Sequence, residues 1–248
     1  YAQGRNAIAG SVVMTSNDPS DEFEGATKFS FGNQNYRQFA AMLSGPLVKD
    51  ELSFRLSAER QSRTSFVDLQ SYQPVGDPRR FETLTARAKL LWTPSALPDF
   101  YSRLTYHYID AKAPQNEVIP QGVRYAYEKP VFKTGSKSGI WDIGWQISDQ
   151  WKWENQLIYS KYTNDRRSLP ANLRGNPAAL DGKEIQWEPK ISFKSADQKT
   201  GALLGLYYFR SKQHEWVDMN ARLGGRNRFN DKTETKALFG ESSRLSST

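Results

Sequence analysis

The chain contains no cysteine. That excludes thiolate metal centres, a cysteine nucleophile and a disulfide scaffold. Histidine is nearly absent too: His107 and His214 are the only two, and neither has a second histidine near it in sequence to start a preformed metal site. No HExxH, phosphate-loop, GxSxG or GxGxxG set carries an argument for catalysis, so no catalytic, cofactor or metal-binding residue is expected. No stretch approaches the roughly 18–20 consecutive apolar residues of a membrane-spanning helix. That absence leaves β-barrels open, because a barrel spreads its apolar residues over alternate positions.

What the chain does have is alternation. Leu52, Phe54, Leu56 and Ala58 are interleaved with Ser53, Arg55, Ser57 and Glu59. Leu84, Ala86, Ala88, Leu90 and Trp92 are interleaved with Thr85, Arg87 and Lys89, and Ile185, Trp187, Pro189, Ile191 and Phe193 with Gln186, Glu188, Lys190 and Ser192. Side chains on a strand point to opposite faces with period two, so each segment has one apolar and one polar face. A transmembrane barrel needs that pattern, with lipid outside and a polar lumen inside. The mean hydropathy of −0.72 looks soluble, yet 13% of residues are aromatic, seven of them Trp. Aromatic girdles at the two membrane interfaces account for such a content. The net charge of +7 comes from 34 basic residues spread among 27 acids. A mixed lumen lining explains it better than nucleic-acid binding, which would call for a clustered patch.

Strands are expected near 23–32, 35–46, 51–62, 81–93, 99–111, 138–148, 151–164, 183–194, 200–211 and 233–243. Most are about ten residues or longer, which suits tilted strands crossing about 30 Å of hydrocarbon and exceeds the mode of about five or six in soluble sheets. The connections around 46–50, 94–98, 148–150 and 195–198 are tight, whereas those around 63–80, 112–137, 165–182 and 212–232 are long. Long loops on one rim and short turns on the other are the barrel arrangement, with the long ones extracellular. The hairpin at Gly32-Asn33-Gln34-Asn35 is the exception, short but on the long-loop side. Leu203 to Phe209 is apolar on both faces; its inward face would pack either on something inside the barrel or in an ordinary buried core. His107 reads as a lumen-facing polar residue. The acids Asp18, Asp21, Glu22 and Glu24 read as a solvated hinge turn in preference to a cation site.

Residues 1–22 differ from the rest. Gly4-Arg5-Asn6-Ala7-Ile8-Ala9-Gly10, followed by Val12-Val13-Met14-Thr15 and Asp18-Pro19, resembles the end of the plug domain in TonB-dependent outer-membrane receptors. Gly45-Pro46-Leu47 before the first tight turn and Lys236 to Glu241 in the last strand fit the same family. The resemblance implies an all-β, antiparallel, up-and-down transmembrane β-barrel: an incomplete sector of a barrel of about 22 strands, with residues 1–22 as a short plug remnant and hinge and 23–248 as the first part of the barrel. On this reading both ends of the chain are cut. The implied function is active transport of a ferric siderophore or similar scarce nutrient across the bacterial outer membrane. It is energised by the TonB complex through an N-terminal region that this chain lacks, with no enzyme chemistry in the receptor. Gly4, Arg5, Asn6 and Gly10 would be structural, with Arg5 pairing to a lumen carboxylate such as Glu59.

The long loops carry Tyr72, Arg79, Arg80, Tyr125, Tyr127, Arg166, Arg167, Trp216, Arg222, Arg226 and Arg228. Arginine offers paired donors to anionic groups and aromatics grip planar ones, so these are the candidate contacts for an anionic, partly aromatic chelate. Contact with anionic outer-membrane lipid and lipopolysaccharide is the competing use of the same residues. Two other classes remain open: a self-contained small outer-membrane barrel (porin or surface hydrolase) and a soluble β-rich glycan-binding protein.

Overall fold

In the computed structural model, the structure describes residues 15–65, 79–114, 131–168, 176–219 and 224–244. They form ten strands: β1 (Glu24–Gly32), β2 (Tyr36–Val48), β3 (Leu52–Thr64), β4 (Arg80–Trp92), β5 (Phe100–Pro114), β6 (Val131–Gln146), β7 (Trp151–Arg167), β8 (Ala178–Lys194), β9 (Thr200–Asp218) and β10 (Arg226–Arg244). The strands lie side by side in chain order in one sheet, each antiparallel to the next. This is the up-and-down order of a barrel, left open between β1 and β10. The turns at one rim (residues 49–51, 93–99, 147–150 and 195–199) are tight, and Asp50, Asp99 and Gln198 take positive φ there, which Asn, Asp and similar polar residues tolerate best.

Residues directly opposite across an antiparallel pair share a face, so the register assigns every side chain. Phe54, Leu90, Leu104, Trp141, Leu157, Trp187 and Tyr208 form one unbroken row across seven strands. Leu56, Ala88, Tyr106, Gly139, Tyr159 and Ile185 form the row above it. Leu104 is 51% exposed and Leu204 53%. Contiguous exposed apolar rows of this size do not persist against water, so this is the lipid face. The opposite face carries Ser53, Arg103, Asp142, Gln156 and Glu188 in one row. It is the polar lumen wall, and His107 belongs to it.

The strands of the second half outrun the expected ones. β6 starts at Val131, not 138; β7 runs on to Arg167, β8 starts at Ala178, β9 continues to Asp218 and β10 starts at Arg226. Beyond the apolar band the two faces no longer differ, with Val131-Phe132 and Ala178-Ala179-Leu180 apolar on both and Asn164-Asp165-Arg166 polar on both, so the period-two signal disappears while the hydrogen-bond ladder continues. Pro189 breaks the alternation less than its chemistry suggests. It pairs with Asn155 on one side, and the β8–β9 ladder skips Glu188 and Pro189, as a residue without an N–H requires. On the lumen face Tyr101 covers Gly144 and Phe239 covers Gly205. A side chain at either glycine would collide with the ring, so each glycine gives its neighbour's ring a seat. Phe209, on the lumen face of β9, is buried.

Leu104→Arg, on the lipid face near mid-strand, is expected to cost about 2–4 kcal/mol, whereas Ser138→Arg on the lumen face costs less than about 1 kcal/mol. Urea unfolding of the protein refolded into phospholipid vesicles measures both, and equal costs would contradict the face assignment.

Candidate functional site: the lumen anchor and the loop-side strand ends

Residues 15–22 form no strand. They lie against the lumen wall, held there by charge. Lys89, with only 7% of its side chain exposed, donates from Nζ to the Ser16 carbonyl at 2.8 Å and to Asp18 Oδ1 at 3.0 Å. Arg103 grips both Asp18 oxygens at 3.0 Å. With its other nitrogens it reaches Asp142 Oδ2 at 3.3 and 3.2 Å, and Gln156 donates to the free Asp142 oxygen at 2.8 Å. Arg103 therefore bridges a carboxylate of the wall and one of the linker, using the planar fork that lysine lacks. Two residues on, Ser20 N donates to the Ser44 hydroxyl at 2.9 Å, which in turn donates to the Phe54 carbonyl; Ser44 is fully buried. The chain then crosses the rim. Phe23 rests on Gly45 and meets Phe54 edge-on, with ring centroids 6.4 Å apart, and Glu24 opens β1 bound to Arg55 at 2.6 Å.

Two of the four acids, Asp18 and Glu24, thus serve as attachment points, whereas Asp21 and Glu22 are exposed. Among the described residues no group of His, Cys, Asp and Glu is arranged to hold a metal. Burial works against the Asp18 charge, but the Lys89 hydrogen bond and the nearby Arg103 outweigh it and hold the carboxyl below its ordinary value of 3.8. Sequence reasoning marked Lys89 as a residue of a polar face without seeing it, or Arg103, as a partner of Asp18. The register that puts β4, β5 and β6 side by side creates the site, from residues separated by 71 and 85 positions.

The expected ligand-contacting residues divide. Tyr72, Tyr125, Tyr127 and Arg222, and the motif residues Gly4, Arg5, Asn6 and Gly10, lie outside the described residues, so the Arg5–Glu59 pairing does too. Arg79 sits in the turn before β4, its carbonyl accepting from Ser65 N. Six of the others are not loop residues: Arg80 begins β4, Arg166 and Arg167 end β7, Trp216 is in β9, and Arg226 and Arg228 begin β10. The ladder carries past the membrane band and takes them in. Alternation then separates them. Arg80, Arg167, Trp216, Arg226 and Arg228 stand on the face that continues the lipid-facing band, and only Arg166 stands on the lumen face. The outward ones engage each other and nearby acids. Arg80 pairs with Glu82 at 2.8 Å, Arg226 with Asp218 at 2.8 Å, and the Arg226 guanidinium lies 4.5 Å from the Trp216 ring centre. Arg166 Nε is buried and donates to no partner among the described residues.

Solved structures give this geometry a context. Ferripyoverdine receptor FpvA of Pseudomonas aeruginosa, in complex with heterologous pyoverdines, superposes with a TM-score of 0.71 over 94% of this chain at 14% identity. The ferric yersiniabactin uptake receptor FyuA of Yersinia pestis gives 0.66 over 91% at 11% identity, and the alcaligin outer-membrane receptor FauA of Bordetella pertussis 0.63 over 90% at 15% identity. The chain has the barrel fold of these receptors. It spans 36%, 44% and 34% of their respective lengths. No family model matches it. The fold is the one expected from the resemblance to TonB-dependent receptors: an all-β, antiparallel outer-membrane barrel, seen as an open sector.

Asp18→Asn is expected to weaken docking of the linker by about 1–2 kcal/mol, read as faster protease cleavage within residues 15–22. Because the docked carboxyl titrates below its ordinary value, docking is fully present above pH 3.8 and fades as pH falls through the lower docked value. Asp18→Asn should abolish that acid dependence, and a wild-type cleavage rate unchanged down to pH 2 would contradict the anchor.

Proposed function

We propose that this chain is a wall sector of a receptor that imports a ferric siderophore or a similar anionic nutrient chelate across the outer membrane, energised by the TonB complex. The observation that carries the reading is the linker bound inside the lumen by Lys89 and Arg103. A segment leading into β1 from inside the wall is what a receptor with an internal plug needs, because force applied to the plug must stop at the barrel. On this reading residues 1–22 are plug end and hinge, and the Asp18 contacts are the fixed point against which the plug is displaced. Ion pairs suit that role: they hold the linker at rest and re-form after each transport cycle without covalent change. Transport then needs no catalytic group in this chain.

The face assignment narrows the ligand contacts. Arg166, on the lumen wall near the long-loop rim, is the described residue best placed to meet a chelate entering from outside. Tyr72, Tyr125 and Tyr127 remain proposed contacts on the long loops. Arg80, Arg167, Trp216 and Arg226 serve the outer surface instead. A self-contained ten-stranded barrel is the less favoured reading, since β1 and β10 do not pair and open edges in lipid leave backbone groups unsatisfied.

Uptake of radioactive iron by cells carrying the receptor, offered as a panel of ferric chelates, tests the proposal. Uptake of at least one chelate should vanish without TonB, and uptake indifferent to TonB would overturn the reading. Arg166→Ala should weaken chelate binding about tenfold, the loss of one charged hydrogen bond, while Arg226→Ala leaves it within about twofold. The reverse order would reject the lumen-side assignment.

A further inference from the structure

Five lysines stand in one row across five strands of the outer face. Lys137 of β6 is directly opposite Lys161 of β7, Lys161 opposite Lys183 of β8, Lys183 opposite Lys212 of β9, and Lys212 opposite Lys232 of β10. Neighbouring strands are about 4.8 Å apart, and like charges directly opposite one another destabilise a sheet. A single such pair is unremarkable, but four consecutive ones in perfect register need a counter-charge. Among the described residues none of the five makes an ion pair with a carboxylate. The surrounding groups on this face are Arg210 and Glu234 one row toward the band, and Asp110, Asp181 and His214 one row toward the long loops. Glu234 is taken by Lys236 at 2.9 Å. The row remains strongly cationic.

Its height is equally informative. On β7 the lysine directly follows Tyr159, and on β8 it directly precedes Ile185, both on the lipid-facing side. Tyr108 of β5 continues the row opposite Lys137, whose ammonium lies 5.7 Å from the ring centre. A tyrosine and a file of lysines just above an apolar band mark the polar boundary of a membrane, where such side chains place their stems in the apolar layer and their charges outside it. The boundary is the one on the long-loop side. There the sheet also carries a cleft of about 350 Å³, lined by Tyr108, Asp110, Gly135, Lys137, Lys161 and Thr163.

We infer that this row is a binding site for the headgroup of an outer-leaflet glycolipid carrying two or more phosphates, with its sugar seated in the cleft beside Lys137 and Lys161 and its acyl chains along the apolar band. Phosphates supply the missing charge, and a lipid supplies it at the right height. The inference rests on the outer-membrane reading above, but its failure is separable from that reading, because it concerns lipid retention and leaves chelate binding inside the barrel untouched.

The test uses the complete receptor purified in mild detergent, with diphosphoryl lipid A, its dephosphorylated form and inorganic phosphate as probes. Binding is read by native mass spectrometry. The variant Lys137→Gln/Lys161→Gln/Lys183→Gln/Lys212→Gln should lose about six-hundredfold in affinity for diphosphoryl lipid A, given about fivefold per lysine at an anionic surface. The corresponding four Lys→Arg changes should bind as the wild type does. Both variants should keep wild-type chelate binding, which shows that the barrel is folded. Equal lipid binding by the Gln and wild-type receptors would overturn the site. So would indifference to dephosphorylation, or competition by millimolar inorganic phosphate as effective as competition by the lipid.

Discussion

Hydrocarbon offers no partner to a peptide N–H or C=O, and most of this structure follows from that single constraint. Each backbone group within the membrane must bond to a neighbouring strand. The chain meets the requirement in the simplest way, each strand pairing with the next in sequence through tight turns at one rim. Once the ladders exist, the period of two decides which side chain meets lipid and which meets the lumen. The constraint also reaches the edges, since β1 and β10 do not pair with each other and satisfy it only with partners of their own.

The two faces then solve opposite electrostatic problems. Inside, the sheet creates charge partners for a segment that is not part of it. Lys89, Arg103 and Asp142 come from three strands and converge on one aspartate of the linker, and Lys89 is buried because the linker covers it. Outside, above the apolar band, the same strands leave a file of lysines that pair with no carboxylate among the described residues. One face is completed by the chain's own N-terminal segment, and the other looks outward for its counter-charge. Both arrangements use the sheet as a ruler, since each depends on residues far apart in sequence arriving at the same height on neighbouring strands.

The barrel was legible in the sequence because alternation is strongest where lipid demands it. Leu84 to Trp92 and Trp141 to Ile147 announce their faces without reference to any other segment. The strand ends were not legible for the same reason. Past the band Asn164, Asp165 and Arg166 are polar neighbours of polar residues, and nothing in their order distinguishes strand from loop. The candidate arginines suffered most from this. Taken as loop residues they formed one group; as strand residues they divide by parity, Arg166 inward and Arg80, Arg167 and Arg226 outward. The Asp18 anchor was half visible: its acids read as a hinge, but Lys89 and Arg103 become its partners only once β4 and β5 are aligned. The lysine row was invisible until register was known, because no window of sequence contains two of its members side by side.

The central claim is that parity along each strand separates lipid from lumen. The absence of native cysteine makes that claim directly measurable, since single cysteines introduced one at a time from Asn155 to Lys161 in β7 can carry a spin label without competing sites. In the membrane-embedded barrel, accessibility to oxygen, which partitions into lipid, should peak at 155, 157 and 159 and fall at 156, 158 and 160, with accessibility to a water-soluble nickel chelate following the opposite pattern. A profile that varies smoothly along β7, or one shifted by a single residue, would contradict the register on which the anchor, the arginine assignment and the lysine row all depend.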